Sequence, residues 1–174
     1  SEPVVDKEQV EKIIRSATDI LNRDSGANPY LLHEDLRKTM NDNVGIVRIE
    51  EELKKGIEDV EKIKNENKNV KADGASQYNP GWHEALSMRN LLITAEAVAR
   101  AALMRQESRG AHTRLDYEGE RDEWLGCNVV IKKGTDENMT VEKVARKEPD
   151  PELKRIANSK LEDLDAEVAK EKII

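Results

Sequence analysis

Val10, Ile13, Ile14, Ala17, Ile20 and Leu21 recur at three- and four-residue spacing, which places them on one face of a helix over residues 7 to 23. Asp6 stands where that helix needs an N-cap acceptor, and Ser25-Gly26-Ala27-Asn28 breaks the pattern. Asn28-Pro29 predicts a second helix, because proline at the first helical position gives up an N–H that has no intrahelical partner anyway. Its stripe is Leu32, Leu36 and Met40. After the apolar joint Val44-Gly45-Ile46-Val47-Arg48, the positions Ile49, Leu53, Ile57, Val60 and Ile63 carry a third helix from residue 49 to about 67. Residues 64 to 77, rich in Lys, Asn, Gly and Ser, read as a mobile connector.

The fourth helix has the strongest signal. Asn79-Pro80 supplies a cap and an N1 proline, and the apolar positions from Ala85 to Leu103 continue without a breaker to about residue 107. Such a helix spans on the order of 40 Å at 1.5 Å per residue. Ala95, Ala99 and Ala102 let a neighbouring helix come close. Beyond it, Cys127 to Lys132 and Met139 to Ala145 are β-prone runs flanking Gly134-Thr135-Asp136-Glu137, which predicts a hairpin. Asp150-Pro151 starts a last helix with Leu153, Ile156, Ala157, Leu161, Leu164 and Val168 on one face. The expected fold is mainly α: a three-helix, spectrin-repeat-like core from the helices near 7 to 23, 49 to 67 and 80 to 107, with an appended β-hairpin and C-terminal helix. The expected domains are a helical bundle over 1–125 and the appended segment over 126–174.

Composition agrees with helices. Charged and apolar residues each make up 37% of the chain, aromatics only 3% and Phe is absent, so the core is aliphatic. A net charge of -7 argues against a general nucleic-acid surface, which needs a basic excess. A single cysteine, Cys127, excludes an internal disulfide and a multi-cysteine metal site; it reads as a packed small hydrophobe. No stretch approaches the roughly 20 apolar residues of a membrane span, and no signal-peptide pattern is present, so we expect a soluble chain in a reducing compartment. A start at Ser1 entering a helix almost at once suggests a piece of a longer polypeptide.

Candidate chemistry concentrates in Glu107-Ser108-Arg109-Gly110-Ala111-His112-Thr113-Arg114-Leu115-Asp116-Tyr117. Arg109, His112 and Arg114 put two permanent cations and a titratable ring beside Glu107 and Asp116. Such a set can orient carboxylates, bind a dicarboxylate, or lock a loop to another domain by bidentate pairing. A Ser-His-Asp reading of Ser108, His112 and Asp116 lacks a nucleophile elbow and oxyanion donors. His33, His83 and His112 have no metal-ligand spacing, and no G-x-G-x-x-G occurs among the nine glycines. We therefore expect no metal and no cofactor bound by this chain.

Three islands carry a resemblance: Met40-Asn41-Asp42-Asn43-Val44-Gly45-Ile46-Val47-Arg48 with Glu51 and Leu53; Tyr78-Asn79-Pro80-Gly81-Trp82-His83-Glu84-Ala85-Leu86; and the Glu107 to Tyr117 run with Arg121-Asp122-Glu123-Trp124. In this order they resemble the C-terminal helical domain of succinate dehydrogenase and fumarate reductase flavoprotein subunits, over roughly residues 7 to 145. The chain departs from the family at Glu118, where a proline is common. The resemblance implies a parent enzyme that interconverts succinate and fumarate by hydride transfer with FAD, in the tricarboxylic acid cycle and electron transport. It implies electrons passing through an iron-sulfur subunit to a membrane quinone pool, and a complex peripheral on the cytoplasmic face of the membrane. In the family, FAD and the catalytic residues come from the preceding flavin-binding and capping domains. It thus implies a non-catalytic piece, in which Arg48, Glu107, Ser108, Arg109, His112, Arg114 and Asp116 serve interdomain or local scaffolding. L-aspartate oxidase and adenylylsulfate reductase share the architecture, and a free-standing helical interaction protein is the reading from another class. Ala111 and the Asn79-Pro80-Gly81-Trp82 segment favour the succinate or fumarate branch.

Overall fold

Side-chain caps start most of the helices where the pattern places them. The computed structural model describes residues 4–135 and 138–165. Helix α1 is Lys7–Asn22, with the Asp6 carboxylate accepting from the Glu8 and Gln9 N–H groups. Helix α2 is Pro29–Asn43 and α4 is Pro80–Met104, capped by Asn28 and Asn79. Helix α3, Glu50–Asn67, follows Ile49, which offers its first turn no side-chain acceptor.

The bundle consists of α2, α3 and α4, whereas the periodicity favoured α1 over α2 as the third member. Leu32 and Leu36 of α2 are buried with Val60 and Ile63 of α3 and Met88 and Leu92 of α4. A second cluster joins Val44, Leu53, Ile57, Ala99 and Ala102. Gly56 lets the end of α2 close on α3, since a Cβ there would lie 2.8 Å from the Val44 side chain. In α1 only Ile20 is buried, while Val10, Ile13 and Ile14 are exposed, so the helix joins the bundle through its C-terminal end. There the Trp82 indole N–H donates to the Ala17 carbonyl at 2.8 Å. Periodicity reports that a face is apolar; it does not report which face finds a neighbour.

The expected mobile connector over 64 to 77 is largely fixed. Helix α3 runs through Asn67, and Val70 and Ala72 are buried. Ala27 N–H donates to Asn69 O at 2.9 Å, Lys71 N–H to Ala27 O at 3.0 Å and Ala72 N–H to Ile20 O at 3.1 Å. Gly26 permits this approach, because a Cβ would stand 2.2 Å from the Asn69 carbonyl oxygen. These pairings satisfy backbone groups that a loop would otherwise leave to water.

Strands β1 (Val47–Arg48) and β2 (Thr113–Arg114) pair in parallel, in the register Val47 to Thr113 and Arg48 to Arg114. Past a 3-10 turn at Asp122–Trp124, strands β3 (Cys127–Lys133) and β4 (Met139–Ala145) form the expected hairpin. Asp136 and Glu137 of its anticipated turn lie outside the described residues. The chain divides into two compact units, one ending at Val144 and one beginning at Ala145. In the second, Asp150 caps helix α5, Pro151–Asn158, which ends earlier than the single helix predicted. Ser159 leaves the helix in extended backbone and its hydroxyl donates to Arg155 O at 2.8 Å, satisfying a terminal carbonyl. Helical backbone resumes over 161–165, and Val168 of the expected stripe lies outside the described residues.

Candidate functional site

Helix α4 ends at Met104, three residues before the point its apolar pattern suggested, because Arg105 turns to extended backbone. That turn brings the Glu107 to Tyr117 run back across the helix end. Arg109 and His112 exchange backbone hydrogen bonds at 2.9 and 3.1 Å around Gly110, whose φ of 58° is one that side chains with a Cβ resist. The Ser108 hydroxyl accepts from the Arg114 N–H at 2.8 Å and lies 3.0 Å from the carbonyl oxygens of Arg114 and Tyr117, to one of which it donates.

Among the described residues, Arg114 is the largest fully buried side chain. Its guanidinium donates to both Asp116 carboxylate oxygens at 2.7 Å and to the carbonyls of Ala102 and Leu103 at 3.1 and 3.2 Å. These carbonyls belong to the last turn of α4, which has no intrahelical donors for them. Asp116 in turn accepts from the Glu50 N–H at 2.8 Å, across 66 residues of sequence, and supplies the cap that Ile49 cannot. A cation at the C-terminus of α4 and an anion at the N-terminus of α3 both match the helix dipoles. The Arg114 bonds hold the Asp116 carboxyl down to about 2.

Glu107 is fully buried and accepts from Arg109 at 3.0 and 3.1 Å, from Arg105 Nε at 2.9 Å and from the Arg121 backbone N–H at 2.9 Å. The Arg109 bonds, then the Arg121 and Arg105 bonds, outweigh burial and lower its carboxyl to about 2. Arg109 also reaches Glu120 at 2.7 Å. Arg105 and Lys143 lie over the buried Trp124 ring, 5.5 and 4.0 Å from its centre.

His112 is fixed as the neutral ring. Its Nδ1 accepts from Arg48 Nη1 at 2.7 Å, so its Nε2 carries the proton given to Arg105 O at 3.0 Å. Burial first, then the charges of Arg48, Arg114 and Arg105, push its pKa below the ordinary histidine range. Arg48 Nε donates to Gly45 O at 2.6 Å. Arg48, His112 and Arg105 line an open groove of about 510 Å³ together with Val98, Ala101 and Ala102 of α4 and Asn128 and Val129 of β3.

All seven residues singled out in the sequence thus meet at one end of the bundle. Ser108, His112 and Asp116 do not form a relay, since Ser108 and Asp116 each bond to Arg114 while His112 bonds to Arg48 and Arg105. Sequence reasoning gave no role to Arg105, Glu120 or Trp124. Arg105 could have been noticed as a cation ending an apolar helix beside an acid that burial would otherwise penalise. Among the described residues no cluster of three His, Cys, Asp or Glu suits a metal ion. Nor is there the parallel sheet that a dinucleotide fold requires, β1 and β2 being two residues each.

The family described as fumarate reductase flavoprotein C-term matches residues 33–167. An uncharacterized FAD-dependent oxidoreductase of Methanocaldococcus jannaschii is 38% identical over 126 residues, which are 72% of this chain and 22% of that protein. The succinate dehydrogenase flavoprotein subunit of Coxiella burnetii is 38% identical over 110 residues, 62% of this chain and 19% of that subunit. Among solved structures, Mycobacterium smegmatis Sdh1 in complex with UQ1 superposes with a TM-score of 0.83 at 33% identity, covering 95% of this chain and 28% of that one. An Archaeoglobus fulgidus adenylylsulfate reductase, 21% identical with a TM-score of 0.72 over 84% of this chain and 26% of that one, shares the fold. The chain spans about a fifth of the length of the curated relatives it matches. With most of its length inside the family match, the chain belongs to the C-terminal domain family of succinate dehydrogenase and fumarate reductase flavoprotein subunits.

Proposed function

We propose that this chain supports the flavin-binding and capping domains of a succinate dehydrogenase or fumarate reductase polypeptide and offers surface to partner subunits, with no turnover of its own. The observation that carries this reading is the closure of the Glu107 to Tyr117 run upon itself. Both its acids are held ionised by arginines, its histidine is held neutral and its serine is bound to backbone. Groups so saturated position a loop; they do not transfer protons or attack substrate.

FAD would supply hydride transfer from the rest of the polypeptide. An iron-sulfur subunit would take the electrons onward, in a complex peripheral on the cytoplasmic face of the membrane. Relatives named as flavoprotein subunits, and the Sdh1 complex among the neighbours, support assembly with other chains. Among the described residues no helix is long and apolar enough to cross a membrane, which fits attachment through partners.

Two experiments test the reading. In the complete polypeptide, Arg109→Gln is expected to weaken domain docking and thermal stability while turnover per assembled flavin stays within about twofold. A variant with intact assembly and abolished turnover would contradict it. Separately, the purified chain mixed with FAD, fumarate and a reduced dye is expected to show no reaction above the dye blank, and appreciable turnover would refute the supporting role.

A further inference from the structure

Most cations at the end of the bundle have a partner, Arg121 and Lys143 lying over the Tyr117 and Trp124 rings and the others meeting acids. Arg114 is neutralised by Asp116, and Arg105 and Arg109 by Glu107, with Glu120 adding a second acid to Arg109. Arg48 has no such partner. It spends Nε on backbone carbonyls and Nη1 on the neutral His112 ring, and among the described residues it meets no carboxylate, while its Nη2 donates to nothing. It is half-buried and lines the groove.

We propose that this groove seats an aspartate or glutamate side chain from the flavin-carrying part of the polypeptide, its carboxylate on the Arg48 guanidinium and its aliphatic stem on Val98, Ala101 and Val129. The inference rests on the supporting role above and names the chemistry of one contact. Three features select this occupant. One uncompensated guanidinium matches a single negative charge, where a phosphate would bring more. Much of the lining is aliphatic, so it complements methylenes rather than a fully hydrated anion. The groove is open along its length, and a free small acid would stay largely in water there, whereas a protein segment brings neighbouring surface that closes it. Partial burial and the nearby charge of Arg114 already lower the Arg48 pKa, so a carboxylate arriving there relieves an existing electrostatic cost.

The test uses the purified, isotope-labelled chain with N-acetyl-glutamate amide, N-acetyl-glutamine amide and succinate as probes, following the His112 ring and Val98 amide by NMR. The glutamate amide is expected to give a saturable shift with a dissociation constant on the order of 10 mM, and the glutamine amide none. Arg48→Gln is expected to weaken it about tenfold. Because that change also removes the bonds to Gly45 and His112, Val98→Glu provides an independent arm. It places a carboxylate of the chain's own in the groove at an exposed helix position, and is expected to abolish probe binding while Val98→Gln does not. Equal response to both amides, or unchanged binding in Val98→Glu, overturns the proposal. Succinate binding about tenfold tighter than the glutamate amide overturns it in favour of a free dicarboxylate. In the complete polypeptide, Val98→Glu is expected to raise hydrogen exchange at the end of α4. Unchanged exchange in a normally docked domain overturns this contact and leaves the supporting role standing; a domain that never docks removes both.

Discussion

Replacing Arg114 by methionine keeps most of the side-chain volume and removes the charge that joins α4 to α3. The native guanidinium makes a bidentate pair with Asp116 at 2.7 Å and covers two carbonyls of the α4 end. Losing one member of a buried pair costs about 3–5 kcal/mol; Asp116 is partly exposed, so here the two uncovered carbonyls, at about 1–3 kcal/mol each, carry much of the loss. We expect about 4 kcal/mol for Arg114→Met, a large share of the roughly 5–15 kcal/mol that holds a domain of this size together. Asp116→Asn leaves Arg114 on its carbonyls and keeps an acceptor for Glu50 N–H, so its cost is smaller. The fall of the Asp116 carboxyl from 3.8 to about 2 corresponds to about 2 kcal/mol. The double variant, with no stranded charge, is expected to cost at least about 1 kcal/mol less than the sum. Urea unfolding followed by circular dichroism at neutral pH measures all three. An Arg114→Met chain within about 1 kcal/mol of the parent, or strict additivity, would show that the pair does not couple the helices.

Acid unfolding should report the Glu107 and Asp116 carboxylates. Both have lowered pKa values in the folded chain, so their stabilisation is present above the unfolded values of 4.5 and 3.8 and is lost as the pH falls toward about 2. Glu107 accounts for about 3 kcal/mol of this, and Glu107→Gln should be less stable at pH 7 yet lose less on acidification; parallel pH profiles would refute it. Asn79→Ala should cost about 2–3 kcal/mol in thermal or urea unfolding, beyond an ordinary cap. The buried Asn79 amide accepts from Trp82 N–H and donates to the Asp73 and Ala75 carbonyls, so Asn79→Asp should recover only the cap. Gly26→Ala should cost about 3 kcal/mol, since its Cβ meets the Asn69 oxygen at 2.2 Å and the strap cannot retreat without breaking its pairing to Ala27; a neutral substitution would mean that the strap yields freely.

Local chemistry was legible in the chain. The caps Asp6, Asn28, Asn79 and Asp150 act within three residues of themselves, so their neighbours in sequence are their neighbours in space. The family, too, was legible, because its islands lie in order along the chain. Partnership was not. Ile49 gives no hint that α3 is capped, since Asp116 comes from 66 positions away. Val70 and Ala72 sit in a polar stretch that reads as loose, and only Gly26 and Ala27 across from them reveal a strap.

By itself the sequence determined the helices, their starts, the hairpin and the family, because capping and periodicity depend on residues a few positions apart. Tertiary structure alone decided that α2 rather than α1 completes the bundle, that Arg114 and Asp116 join two helix ends, and that Arg48 meets no acid among the described residues. Those outcomes depend on which surfaces exclude water from one another and which charges are then left to pair, and no stretch of sequence contains both sides of such a contact.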